Sequence, residues 1–155
     1  MNYKTAALAA FIGLNPIGTA QAEEKDVLSI NNEIPYVKCL TNGHAIEMIM
    51  QRELKVTSSN IGRDFRKAVT LFGQEFVHPL QENLDTFLSG REINAQLDED
   101  LPRFLTETEE RLNASFTKAL KQQSPAIEVT IKDNGTSARI NKHLPKCAVK
   151  GLTII

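Results

Sequence analysis

The sequence predicts a mainly α fold with a small β element. Three observations predict it. Two long apolar stripes recur at three- and four-residue steps between residues 61 and 120. A shorter stripe of the same kind precedes them. After Pro125 the period of the hydrophobic pattern changes from 3.6 to 2. The expected architecture is a kinked antiparallel helical hairpin, with a short helix before it and a C-terminal β-hairpin after it, an α+β arrangement.

Residues 1–22 come first and read as a signal peptide. Lys4 supplies the positive start, Thr5 to Ile12 is an almost unbroken run of apolar and small residues, and Asn15, Pro16 and Gly18 break it. Ala20-Gln21-Ala22 is the small-x-small pattern that signal peptidase requires. The apolar run falls short of the roughly 20 residues needed to cross a bilayer, so no membrane span is expected. The expected product is a single exported domain, residues 23–155, located in the periplasm or secreted.

Glu23 to about Glu33 reads as a loose leader. Ile34-Pro35-Tyr36-Val37-Lys38-Cys39-Leu40 fits an edge strand and a first helical turn equally well, and the pattern does not choose between them for Tyr36–Leu40. Thr41-Asn42-Gly43 is a helix-start signal, and a short helix is expected from there to about Val56, with Ile46, Ile49, Met50 and Leu54 on one face. Met48 and Met50 read as core filler.

The first long stripe runs through Ile61, Phe65, Ala68, Val69, Phe72, Phe76, Leu80, Leu84, Phe87 and Leu88. Pro79 lies inside it. An interior proline removes a backbone hydrogen bond and crowds the preceding turn, so a kink is expected between Gly73 and Pro79. Ser89-Gly90 ends the helix. The second stripe runs through Ile93, Leu97, Leu101, Phe104, Leu105, Thr108, Leu112, Phe116, Ala119 and Leu120. Pro102 interrupts it, and Asp98-Glu99-Asp100 just before it offer caps for a fresh start. The phenylalanines of both stripes read as core.

Ile127, Val129 and Ile131 then alternate with Glu128, Thr130 and Lys132. Asn134-Gly135 is the strongest short hairpin signal, and Ala138 and Ile140 continue the alternation on an expected return strand. Ala148 to Ile155 offers a further strand.

Charge bounds the function. The chain has 18 Lys+Arg and 19 Asp+Glu, and loss of Lys4 with the signal moves the formal charge from −1 to −2. Without a basic excess and without Trp, nucleic acid is not an expected partner. The distribution is uneven. Acids crowd residues 74–110, where only Arg91 and Arg103 oppose them, and bases dominate after Ser115. Asp98, Glu99, Asp100, Glu107, Glu109 and Glu110 are the candidate partner-binding residues, as a surface that steers a charged protein.

The two cysteines, Cys39 and Cys147, are expected to form a disulfide in an oxidising compartment. Glu75 and His78, with Glu82 one turn further on, present ligand types on one helix face. A bundle metal centre needs a second Glu-x-x-His, which the chain lacks, so no metal and no cofactor are expected. No nucleophile elbow, phosphate-binding loop, zinc-protease motif or Cys-x-x-Cys is present, and no catalytic residue is assigned.

These observations together point to a non-enzymatic periplasmic protein-binding protein, such as an inhibitor or immunity-type protein or an accessory subunit of an envelope complex. A carrier holding an apolar ligand between kinked helices is the alternative, and a metal-dependent enzyme comes third.

Overall fold

A computed structural model describes residues 25–141. The expected signal peptide, Cys147 and the expected strand Ala148–Ile155 lie outside the described residues. Among the described residues, three strands of 14 residues each form an antiparallel sheet in the order β1-β2-β3. They are β1 (Asp26–Cys39), β2 (Ala45–Ser58) and β3 (Glu128–Asn141). A 3₁₀ turn, Thr41–Gly43, joins β1 to β2, with Gly43 at φ 74°. The helices lie in the chain between β2 and β3: α1 (Ile61–Phe72), a π turn (Gly73–Val77), α2 (His78–Leu88) and α3 (Ala95–Gln123). They cover one face of the sheet, and the core lies between the two layers.

This overturns the mainly α expectation. The segment expected as a short helix is β2, the central strand. Apart from Ala45 at its start, its buried positions are Ile46, Met48, Met50, Arg52, Leu54, Val56 and Ser58, a period of two. The three- and four-residue spacing depended on Ile49, which is 43% exposed on the other face. Arg52 hid the true period, because it puts a charge at a core position. The expected loose leader is overturned as well, since β1 begins at Asp26 and buries Leu28, Ile34 and Tyr36. Pro35 is compatible with β1 because β1 is an edge strand.

The C-terminal β-hairpin is also overturned. Asn134-Gly135 does not turn the chain. Gln51 pairs with Gly135 while Arg52 pairs with Asp133, so Asn134 is an extra residue in β3. The feature is a β-bulge, and the expected return residues Ala138 and Ile140 continue the same strand along β2. Gly135 sits at φ 121°, a conformation that glycine reaches without a Cβ penalty.

Within the helical layer, α1 passes through the π turn into α2. The His78 N–H reaches back to the Gly73 carbonyl, and Pro79 follows in the first turn of α2, where its missing N–H leaves no gap in the ladder. The wider turn absorbs the proline without ending the helical path. Phe72 stacks on Phe76 at 5.0 Å and meets Phe116 edge-on at 5.7 Å. Phe87 stacks on Phe104 at 4.1 Å. Phe76, Leu80, Leu84, Leu88, Phe116 and Leu120 are almost wholly enclosed, each fully buried side chain contributing about 1.5–3 kcal/mol. α3 starts earlier than the acids at 98–100 would place it. The Asn94 side chain accepts from the Leu97 N–H at 3.0 Å, and the helix runs on through Pro102 without a break.

Candidate functional site

The six candidate acids all lie on α3, but the fold divides them. Glu109 points toward the sheet. Arg52 Nε donates to its Oε2 at 2.8 Å, and Arg52 Nη2 lies 2.6 Å from the same oxygen. The other side of the guanidinium is held by β3. Arg52 Nη1 donates to Asp133 Oδ1 at 2.8 Å and to the Gly135 carbonyl at 3.2 Å, and Nη2 reaches Thr136 Oγ1 at 3.3 Å. Arg52 is 2% exposed, and its charge is met by two carboxylates. Burial pushes the Glu109 carboxyl above its usual range, Arg52 pulls it back, and the Asp133 charge adds to the rise. Glu109 is therefore a structural latch from α3 to the sheet.

Asp100 is also engaged. It accepts from Gln96 at 2.8 Å, from Arg91 at 3.2 Å and from Arg103 at 2.8 Å. The Gln96 hydrogen bond and the two arginines hold its carboxyl below the usual range, against a smaller effect of burial. Arg91 also lies over the Phe87 ring at 4.1 Å and donates to the Phe87 carbonyl, so this cluster ties the α2–α3 loop.

Asp98, Glu99, Glu107 and Glu110 are exposed, and among the described residues none of them enters an ion pair of 4.0 Å or less. Asp98 stands in the first turn of α3, where the helix dipole favours an acid. Glu99, Arg103, Thr106 and Glu110 share the outward face by helical spacing, with Glu107 beside them and Lys118 and Lys121 further along. The strand bases do not cross over to these acids. Arg139 pairs with Glu47 at 2.8 Å on the sheet.

The candidate metal ligands stand apart from any cluster. His78 and Glu82 are 3.6 Å apart and exposed, and among the described residues no group of three or more His, Cys, Asp or Glu assembles as a metal site. The space between the helices and the sheet is filled by Met48, Met50, Phe76, Leu80 and Leu84. Among the described residues no helix is long and apolar enough to cross a membrane. Cys39 ends β1, and its expected partner Cys147 lies outside the described residues.

Two polar centres went unseen in the sequence. One is the Arg52 cluster. The other is Asp64, 4% exposed, which accepts hydrogen bonds from Ser58, from Ser124 Oγ at 2.9 Å and from Arg63 Nε at 3.3 Å. Burial pushes this carboxyl up, but the two hydroxyls and Arg63 outweigh it and the carboxyl lies below its usual range. The centre ties the end of β2, the start of α1 and the end of α3 together. A buried charge at a strand position that otherwise alternates is the one sequence signal that marks Arg52. Comparison of the chain with protein families, with curated proteins and with solved structures returns no match.

Proposed function

We propose that the chain is trimmed after Ala22, exported, and acts outside the cytoplasm as a non-enzymatic protein-binding protein, an inhibitor or immunity-type protein or an accessory subunit of an envelope complex. The observation that carries this reading is the acid left over on α3. Glu109 and Asp100 are spent on internal contacts, and Arg139 of the sheet is engaged with Glu47. Glu99, Glu107 and Glu110 keep exposed charge that enters no ion pair among the described residues along one side of a helix of 29 residues, with Arg103 and Arg111 beside them. Such a surface attracts a basic partner and accelerates encounter, an effect that salt screens.

The test begins with a pull-down from the native envelope. The association rate of the captured partner is then measured at low and physiological salt, for the wild type and for Glu99→Gln/Glu107→Gln/Glu110→Gln. The expected result is a drop of about tenfold or more with salt in the wild type and a flatter dependence in the variant. A rate indifferent to both salt and substitution overturns the reading. Glu109 is left intact, because its carboxylate is engaged with Arg52 and is not part of the exposed surface. N-terminal sequencing of the envelope form tests the export step, with Glu23 as the expected first residue.

A further inference from the structure

The sheet has two faces, and the helices cover one. Alternation along the strands puts Pro35, Val37 and Cys39 of β1 on the other face, with Ala45 and Ile49 of β2. Val37 is 56% exposed and Ile49 is 43% exposed. With Pro35, which pairs with Ile49, they border a shallow depression closed on its far side by Ser137 of β3 and by the Glu47–Arg139 ion pair, which lies beside Val37. Ala45, at the end of the same face, is fully buried. This part of the face lies where β1 ends and where β3 also ends, because Asn141 pairs with Ala45 and Ala45 pairs with Cys39.

The chain continues from Asn141 for 14 residues, of which the last eight are Ala148-Val149-Lys150-Gly151-Leu152-Thr153-Ile154-Ile155. They carry five apolar side chains and no acid. Cys147 is six residues beyond Asn141, a reach of up to about 20 Å. Cys39 is two strand spacings from Asn141, about 10 Å. The tail is thus long enough for Cys147 to meet Cys39.

We propose that residues 148–155 fold back over this end of the open sheet face, and that Val149, Leu152, Ile154 and Ile155 cover Pro35, Val37 and Ile49. The inference rests on the Cys39–Cys147 pairing, which anchors the segment at the right corner. Its occupant is the protein's own tail, because the tail leaves the sheet at the patch and its apolar side chains match the patch.

The experiment uses the oxidised protein with methyl-labelled Val, Leu and Ile. Peptide mapping without reduction first establishes the disulfide. Nuclear Overhauser contacts are then sought between the Val37 and Ile49 methyls and those of Leu152, Ile154 and Ile155. Such contacts within one chain are expected. Their absence overturns the proposal, and so does their appearance only between differently labelled copies, which would mean that a second chain covers the face. Contacts without the disulfide would support the docking and remove the tether. Deleting residues 148–155 leaves both cysteines in place. It should raise binding of an apolar dye several-fold and move the Val37 and Ile49 methyl signals, and an unchanged spectrum with unchanged dye binding would count against the cover.

Discussion

Arg52 and Glu109 connect the two layers of the fold: the guanidinium of the central strand and the carboxylate of α3 approach to 2.6 Å, with the arginine almost wholly enclosed. Asp133 completes the arrangement from β3 at 2.8 Å. One side chain thereby ties α3 to both β2 and β3, the strand added to the sheet after the helices. Taking such a charge out of water is costly, and the carboxylates offset that cost while the guanidinium remains paired.

Arg52→Met should therefore lower stability by about 3 kcal/mol or more, because it leaves Glu109 and Asp133 facing each other without a cation. Glu109→Gln keeps an acceptor for the Arg52 Nε proton, and Asp133 still meets the charge. Its cost should be about 1 kcal/mol. Urea denaturation of the two variants checks the ranking. Equal losses would mean that the guanidinium is held by β3 alone.

Asp64 predicts the behaviour in acid. Its carboxyl lies below the usual range in the folded protein, so the folded state binds this proton less readily than the unfolded chain. The stability it contributes is present above the unfolded value of about 3.9 and is lost as pH falls through the folded value. Glu109 acts in the opposite direction. Its carboxyl is raised, so protonation favours the folded state, and stability declines as pH rises from the unfolded value through the raised one. Asp64→Asn should flatten the loss of stability below about pH 4 and cost about 1–3 kcal/mol at neutral pH, since two hydroxyls then compete for one acceptor. Denaturation midpoints between about pH 3 and about pH 7 test this. A variant that keeps the full acid-induced loss would place its origin elsewhere.

The proposed Cys39–Cys147 disulfide closes a loop of about 108 residues, worth roughly 4.7 kcal/mol in the chain-entropy account. Labelling of the unfolded, unreduced protein should find no free thiol, and reduction should lower the denaturation midpoint by an amount of that order. Two labels per chain would remove the bridge.

The helical half of the fold was legible because its stripes are long. Phe65, Phe72, Phe76, Leu80 and Leu84 repeat over enough turns that the period is unambiguous, and the π turn before Pro79 lies between Gly73 and Pro79, where backbone chemistry requires an adjustment. The sheet half was obscured by single residues. In β2, Ile49 on the open face supplied a false helical neighbour to Ile46, and Arg52 replaced an apolar residue in the buried row. In β1, Pro35 and the polar Asn31 and Asn32 diluted the alternation. The acids on α3 were visible as a group, but their division was not. Whether an acid faces a buried arginine depends on a contact 57 residues away in the chain, which no local pattern records.

Asn134-Gly135 gives the sharpest prediction, because a turn and a bulge demand different things of the same glycine. In a two-residue hairpin the pair would reverse the chain, and both residues would be needed for it. Here Asn134 is the extra residue, and its amide reaches Asn31 at 3.2 Å. Gly135 returns the strand to register, with its N–H donating to Asp133 Oδ1 at 2.8 Å and its carbonyl accepting from Arg52. A Cβ at Gly135 would meet no atom within 4 Å, so the position needs glycine for its φ of 121° and not for space. Gly135→Ala should then cost about 1–3 kcal/mol through backbone strain. It should also disturb the Arg52 cluster, since the carbonyl that accepts from Arg52 moves with the strained residue. Asn134→Ala, by contrast, removes one exposed side-chain hydrogen bond and should cost well under about 1 kcal/mol. Deleting Asn134 should convert the bulge to regular pairing, because Asp133 stays opposite Arg52 and Gly135 opposite Gln51, so Val129 and Ile131 keep their places opposite Val56 and Leu54. The three variants separate the two roles by thermal denaturation. A turn would make Asn134→Ala and Gly135→Ala comparable and the deletion destructive of pairing beyond Thr136. A bulge makes Gly135→Ala the worst, the deletion tolerated with pairing intact on both sides, and Asn134→Ala nearly silent.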